Sequence, residues 1–218
     1  MDKLDSKNRP GNQASQKALT LLFQGESWAN RGMVEKALAC YVAAERIARL
    51  EGGHETVKTC FERRIALLLE SNEFEEADRI ANEGLSYLRL LDRREDEIEL
   101  LKLRSRSYQK RGRYQEAIES IFEGLELAKE YQRVEFELDF IIELAETALS
   151  AKEFADAKSH GTAGLNRAIM LKDALRTRTF ARIVEEASTS LKKKRKASLL
   201  SQAMDLLPPL KIPFSDKV

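Results

Sequence analysis

The chain of 218 residues is long enough for one domain or a short array of repeats. With 43% apolar residues it can bury a core, which excludes global disorder. Its 37 basic and 36 acidic side chains nearly cancel to a formal +1, and this balance predicts no overall attraction to nucleic acid or membranes.

The N-terminal segment, residues 1–14, is polar and is predicted to be disordered. Residues 1–16 contain no apolar core of a signal peptide, and no later apolar stretch approaches the roughly 18 residues that span a bilayer. We therefore expect an intracellular, cytoplasmic protein whose two cysteines, Cys40 and Cys60, stay reduced.

From Arg31 onward the chain repeats every 40 residues without gaps. Such self-similarity at a fixed period indicates stacked structural repeats. One position of the repeat is always alanine, a second is bulky and a third is small. These columns are Ala37, Ala77, Ala117 and Ala157; Val34, Phe74, Tyr114 and Phe154; and Ala44, Gly84, Gly124 and Gly164.

Each unit of 40 residues is predicted to hold two helices. In the third unit the first helix covers about 114–131, after the polar turn 111–113, and the second covers about 134–150. Neither helix can bury its apolar stripe alone, so neighbouring units must stack. We predict an all-α, right-handed solenoid of about five antiparallel helix pairs over residues 15–207.

The small column requires a structural reason, because a glycine inside a helix costs about 1 kcal/mol relative to alanine. Gly124 lies two turns from Ala117 on one face of the same predicted helix. We interpret both as points where a partner helix approaches closely, since a bulky side chain there would push it away.

The motif positions resemble those of the tetratricopeptide (TPR) family. That family places a bulky, a small and a bulky residue, then alanine, a bulky residue and Ala or Gly, across a helix pair. The first and third pairs carry the pattern as Leu21, Gly25, Trp28, Ala37, Tyr41 and Ala44, and as Leu101, Ser105, Tyr108, Ala117, Ile121 and Gly124. The second and fourth pairs match less well, and Ala197 with Met204 suggests a fifth.

The period departs from the usual TPR unit, which has 34 residues instead of 40. Longer-helix variants of the family hold extended peptides in scaffolds. A 40-residue period also overlaps armadillo and HEAT-type arrays, and the segment 64–77 is similar to helical repeats of proteasome-lid-type subunits. Another kind of α-solenoid is therefore the alternative.

The TPR resemblance implies a concave groove, lined by the first helix of each motif pair, in which partner peptides lie. In this chain the peptide groove would include Asn30, Glu62, Glu99, Lys102, Arg106, Gln109, Asp139 and Glu146. Lys102 and Arg106 share a helix face and match half of a clamp for chaperone carboxylates, but Leu22 and Glu26 replace the other half. The alternative for the two cations is a solvated helix face paired with Glu99.

The basic cluster consists of Lys192, Lys193, Lys194, Arg195 and Lys196. Without these five charges the chain would carry a formal −4. The cluster falls where the fifth unit should have its interhelical turn, between about 190 and 197. It is similar to a single-cluster nuclear import signal, and the alternative is an ordinary solubilising turn.

The C-terminal tail, residues 208–218, follows an apolar helix that ends at Pro208. Terminal repeats of a solenoid need a polar outer surface. We therefore expect either that the tail folds back as a cap, or that a partner or a second copy of the chain covers this helix. A second copy would make the protein a homo-oligomer.

The sequence contains no Gly-rich phosphate loop and no HExxH or CxxC motif, and its two histidines, His54 and His160, lie far apart. We expect no catalytic residue, no metal site and no cofactor. The predicted function is a non-catalytic scaffold or adaptor that binds a partner peptide or helix in the groove. The alternatives are a structural subunit that docks through its C-terminal end and convex face, and an adaptor imported into the nucleus.

Overall fold

A computed structural model describes the backbone of residues 10–205 and the side chains of residues 15–199. Within that range the chain is all-α, and the solenoid predicted from the sequence is confirmed. A 3₁₀ turn, Arg94–Asp96, precedes the fifth helix. The helices are α1 (Pro10–Asn30), α2 (Val34–Leu50), α3 (His54–Glu70), α4 (Phe74–Leu90), α5 (Glu97–Lys110), α6 (Tyr114–Glu130), α7 (Val134–Ser150), α8 (Phe154–Met170) and α9 (Ala174–Asp205).

The ends of the array differ from the sequence-based boundaries. Helix α1 begins at Pro10, so residues 10–14 are helical instead of disordered. The predicted disorder of residues 1–9 and the predicted cap formed by residues 208–218 lie outside the described residues.

The connections between helices all use the same backbone geometry. One residue after each of the first eight helices has positive φ, and the next residue donates its N–H to the carbonyl five residues back, as from Gly53 to Ala48 at 2.8 Å. Glycine adopts this left-handed conformation freely, whereas other residues incur about 1 kcal/mol of strain. The positive-φ residues recur every 20 positions, so each 40-residue unit contains two helices and two turns. These residues are Gly32, Gly52, Asn72, Asp92, Gly112, Gln132, Lys152 and Lys172.

The array curves because its odd- and even-numbered helices pack differently. Each helix packs against the next one along the chain, and consecutive odd-numbered helices also contact one another directly. Consecutive even-numbered helices make no comparable contact within the described chain. The odd-numbered helices therefore form the inner, concave side, and the even-numbered helices form the outer side.

The small residues of the repeat receive side chains from the following helix. The alanine column is fully buried: Ala37, Ala77, Ala117 and Ala157. A Cβ atom added to Gly124 would overlap the ring of Phe140 on α7, and one added to Gly164 would overlap the ring of Phe180 on α9. The glycine column thus makes room for a side chain from the next helix, which is more specific than the expected close approach of two helices.

The ninth helix departs from the repeat. Residue 192 is the next position in the 20-residue series of turns, yet α9 continues from Ala174 to Asp205. The predicted turn between 190 and 197 is therefore wrong, and the described chain forms four helix pairs followed by one long helix. Lys194 occupies the column of Val34, so a helix that began there would lack the bulky apolar side chain with which the even-numbered helices begin.

Helix α9 has a packed half and a projecting half. Between Arg176 and Leu191 it packs on α7 and α8 and buries side chains such as Phe180, whereas every side chain from Lys192 to Leu199 is exposed. At 1.5 Å per residue the helix is about 48 Å long, roughly twice the length of the preceding ones. The second half therefore extends beyond the array.

The outward face of the packed half of α9 is mainly charged. It exposes Arg178, Arg182 and Glu185, in addition to the apolar Leu175. A charged outer face on the last packed helix satisfies the need for a polar end cap. The array thus has a polar end before the projecting half begins.

Candidate functional site: an inner charged channel

Ion pairs join consecutive odd-numbered helices along the inner surface. Lys102 of α5 donates to one oxygen of Asp139 on α7, and Arg176 of α9 donates to the other oxygen at 2.8 Å. Burial alone would raise the pKa of Asp139, but the hydrogen bonds from the two cations outweigh burial and hold the pKa below its usual value. One carboxylate therefore links three helices.

A second link between α5 and α7 centres on Glu143. The Nε atom of Arg106 donates to Glu143 at 2.6 Å, and the side-chain amide of Gln109 donates to the Thr147 hydroxyl and to the Glu143 carbonyl. The Glu143 side chain is only 4% exposed, and burial raises its pKa although the charge of Arg106 opposes that shift. The buried carboxylate therefore depends on Arg106 for compensation.

Two adjoining cavities lie beside the C-terminal turns of α3, α5 and α7 and the packed half of α9. Their volumes are about 530 and 360 Å³, and both are lined by Gln109, Lys110 and Glu146, so they form one inner channel. The remaining lining residues are Ala66, Leu69, Glu70, Arg106 and Glu143 in the larger cavity, and Leu149, Ser150, Arg182 and Glu186 in the smaller.

Some charged side chains of the inner channel have unused hydrogen-bonding capacity. Arg106 is 47% exposed, and only its Nε atom has a partner among the described residues. Lys110 and Glu70 are exposed and form no ion pair with any described residue. Glu146, by contrast, accepts a hydrogen bond from Arg182 at 2.6 Å. The channel therefore offers two cations and one carboxylate to a ligand.

The seam between α3 and α5 is acidic. The Nζ atom of Lys58 lies 3.1 to 3.9 Å from the carboxylates of Glu55, Glu62, Asp96 and Glu99. Burial and the neighbouring Glu99 raise the pKa of Glu62 to about 9, while the hydrogen bond with Glu62 lowers the pKa of Glu99. These opposite shifts favour the protonated form of Glu62 as hydrogen-bond donor and the ionised form of Glu99 as acceptor. The buried Oε1 atom of Glu62 has no hydrogen-bond partner in the described structure.

The eight residues assigned to the peptide groove all lie on odd-numbered helices. Three of them line the inner channel: Arg106, Gln109 and Glu146. Four others form the contacts across the seams of α5 with α3 and α7. Asn30, at the end of α1, is exposed and lines neither cavity.

The sequence-based pairing of Lys102 and Arg106 with Glu99 is wrong, because both cations contact carboxylates of α7. Sequence reasoning also missed Glu143 and Lys110 as parts of the site. A spacing of 37 residues between opposite charges, which recurs between α5 and α7, could have identified Glu143.

The cysteines lie on adjacent helices, with Cys40 on α2 and Cys60 on α3, and both are free. Burial raises the pKa of Cys60 to about 12, so this thiol packs as a small apolar group. Across the described residues, no group of three or more His, Cys, Asp or Glu side chains could hold a metal ion. None of the helices in that range is both long and apolar enough to cross a membrane.

Antiparallel helix pairs, small-residue columns and a concave inner surface define a TPR-like helical-repeat protein, a class that in general provides scaffolds for protein interactions. The chain is similar to two crystal structures of a Podosopora anserina protein described as a kinesin light chain with nearly identical TPR-like repeats.

The first comparison covers 87% of this chain and 93% of that chain, with a TM-score of 0.67 and 15% identity. The second, with a variant of the same protein, covers 88% and 98%, with a TM-score of 0.64 and 16% identity. At this identity the likeness establishes the TPR-like fold. No protein-family model matches the sequence, and no curated protein is significantly similar to it.

Proposed function

We propose that the protein is a non-catalytic interaction scaffold that holds an extended peptide of a protein partner in the inner channel. The curved shape supports this function, because helical-repeat arrays in general use their concave surface for binding. The observation that carries the proposal is the presence of two cations with unused donors in the channel, Arg106 and Lys110.

The charges of the inner channel indicate what such a peptide contains. The free guanidinium nitrogens of Arg106 and the ammonium of Lys110 suit an acidic side chain, since charge-assisted hydrogen bonds to carboxylates are strong. Glu70 lines the same cavity and suits a basic side chain. The preferred ligand is therefore a peptide with an acidic group near Arg106 and a basic group near Glu70.

Peptide-display selection on the purified full chain tests this function. The wild-type protein should enrich peptides that contain Asp or Glu, and combining Arg106→Glu with Lys110→Glu should reverse that preference. A matched variant, Lys129→Glu with Lys158→Glu, changes exposed lysines on α6 and α8 and should leave the enriched peptides unchanged.

Circular dichroism should first establish that the channel variant is folded, because Arg106 compensates the buried Glu143. If a folded channel variant enriched the same peptides as the wild type, the inner channel would be excluded as the binding site.

A structural subunit that docks through its C-terminal end is the second candidate. The end of α8, the following turn and the start of α9 together expose four large apolar side chains: Ile169, Met170, Leu171 and Leu175. Met170 is 83% exposed and Leu175 is 74% exposed. Clustered apolar exposure of this kind is typical of protein contact sites.

Affinity capture with mass spectrometry separates the two candidates. Met170→Asp with Leu175→Asp should lose the partner if the protein docks through this end, whereas the channel variant should lose it if the partner is a channel-bound peptide. If the variant with Met170→Asp and Leu175→Asp retained every partner, this end would be excluded as the docking surface. Leu200 and Leu207 belong to the apolar sequence before Pro208, and their side chains lie outside the described range.

A further inference from the structure

The basic cluster, residues 192–196, lies on the half of α9 that projects beyond the array. All five side chains are exposed, and none forms an ion pair with a side chain that the structure describes. In the packed half of the same helix, by contrast, Arg176 and Arg182 both pair with carboxylates of α7. The cluster is therefore an unpaired concentration of positive charge.

The five cations surround the helix instead of covering one face. Consecutive helical residues point about 100° apart, so five in succession cover the whole circumference. A flat anionic surface would contact only the cations on its own side of the helix. A groove with anionic walls would contact cations on opposite sides, so the arrangement fits a groove that encloses the helix.

We infer that the projecting half of α9 binds double-stranded DNA by entering its major groove. An α-helix with its side chains is about 10–12 Å wide, and the major groove of B-form DNA is about 12 Å wide. Cations on opposite sides of the helix then neutralise phosphates on both walls of the groove. Contacts of this kind position the protein without reading the base sequence.

The charge balance of the whole chain does not describe this segment. The rest of the molecule carries a formal −4, which is why the total predicts no attraction to nucleic acid. At physiological salt, however, charges are screened beyond about 8 Å, so a phosphate in contact with the cluster interacts mainly with the cluster's own side chains and only weakly with the distributed charges of the array. We therefore expect the cluster to account for the binding.

Other polyanions fit the basic cluster less well. The major groove of double-stranded RNA is too deep and narrow for side chains to read. A membrane is flat and would contact only the cations on one side of the helix, and residues 192–196 themselves contain no apolar side chain that could insert into it. An acidic protein surface likewise contacts one side of a helix.

Fluorescence anisotropy with a short DNA duplex of arbitrary sequence tests this inference on the full chain. The affinity should fall by roughly 20-fold for each doubling of salt concentration if all five cations neutralise phosphates. Changing the five residues of the cluster to Gln should weaken binding at low salt by at least about 100-fold. Absence of DNA binding by the wild type at low salt would overturn the inference.

A matched variant removes five other exposed cations that form no ion pair with described residues and lowers the net charge by the same amount. It should bind DNA like the wild type, and an equal loss would overturn the assignment to the cluster. Its substitutions are Lys129→Gln, Lys152→Gln, Lys158→Gln, Lys172→Gln and Arg178→Gln.

Alternative polyanions complete the test. Duplex RNA of the same sequence should bind at least several-fold more weakly than DNA, and equal binding would overturn entry into the major groove. Polyglutamate binding as tight as DNA binding would assign the cluster to an acidic protein instead. Equally tight binding to vesicles that contain anionic lipid would assign it to a membrane surface.

Discussion

The seams on the two sides of α5 share one geometry but differ in chemistry. On the C-terminal side, Lys102 meets Asp139, 37 positions later, in an ion pair. On the N-terminal side, Glu62 also meets the residue 37 positions later, but that residue is Glu99. The repeat therefore determines which positions are in contact. The identity of the side chains determines whether the contact is an ion pair, as for Lys102 and Asp139, or a hydrogen bond between two carboxyl groups, as for Glu62 and Glu99.

The difference makes the N-terminal seam dependent on pH. The contact between Glu62 and Glu99 is favourable only while Glu62 keeps its proton, because ionisation places two carboxylates together. Lys58 is already shared among the carboxylates of Glu55, Asp96 and Glu99 and cannot fully compensate an ionised Glu62 as well. We expect the α3/α5 seam to weaken before the α5/α7 seam as the pH rises.

Among the substitutions that test this difference between the seams, removing the carboxylate of Asp139 should change the free energy of unfolding most. Lys102 and Arg176 are only 20% and 22% exposed, and Asp139→Asn would leave both without their shared anion. We expect the free energy of unfolding at pH 7 to fall by about 2 kcal/mol, less than for a fully buried pair. Urea denaturation followed by circular dichroism measures this change.

The control for that substitution is Asp156→Asn on α8, where the aspartate is exposed and pairs with no described residue. It should change the free energy of unfolding by less than about 0.5 kcal/mol. Equal losses in the two variants would show that the link between three helices adds no stability.

The proton of Glu62 should produce the next largest effect. Its pKa is raised from 4.5 to about 9 in the folded protein, so between these values the folded chain holds a proton that the unfolded chain lacks. Stability must then fall as the pH rises through this window. Relative to Glu62→Gln, the wild type should lose on the order of 2 kcal/mol between pH 6 and 9, measured by urea denaturation.

Two other groups bear on the sign of this pH dependence. The raised pKa of Glu143 adds to the fall in stability, whereas the lowered pKa of Glu99 acts only below its usual value, where stability rises with pH. Glu119→Gln, at an exposed position of α6, should retain the wild-type pH dependence. Parallel stability curves for wild type and Glu62→Gln would rule out a proton held by Glu62.

Giving the N-terminal seam opposite charges should have the smallest effect. Glu62→Lys would face Glu99 as Lys102 faces Asp139, although Lys58 lies one turn away on the same helix. We expect a gain of about 0.5 kcal/mol in the free energy of unfolding at pH 7. An isosteric apolar variant, Glu62→Met, separates the new attraction from the loss of a buried carboxyl. A lower stability for Glu62→Lys than for Glu62→Met would contradict the prediction.

The helices and their inner faces could be predicted because they depend on short-range sequence features. The columns of Ala117 and Gly124 report burial within a unit, and helical spacing alone places Arg106 and Gln109 on one inner face. The particular role of Gly124 could not be predicted, because the ring that it accommodates belongs to the next helix.

Contacts between units could not be predicted from the columns. The offset of 37 residues depends on how consecutive units rotate against each other, so Glu143 was not recognised as the partner of Arg106. The missing turn at residue 192 has a similar cause. Lys152 and Lys172 both adopt positive φ in turns, so a lysine at 192 was compatible with another turn. Lys194 stands where the earlier units have Val34, Phe74, Tyr114 and Phe154, so a further helix would lack this half-buried apolar contact.

The eight identical turns have a consequence for how the chain folds. Because each turn reverses the chain immediately and each helix packs on its neighbours, stabilising contacts join residues that are close in sequence. A chain with such a low contact order is expected to fold rapidly, starting at any unit and spreading to the next. Damage to one seam should then melt the array from that seam to the nearer end and leave the remaining units folded.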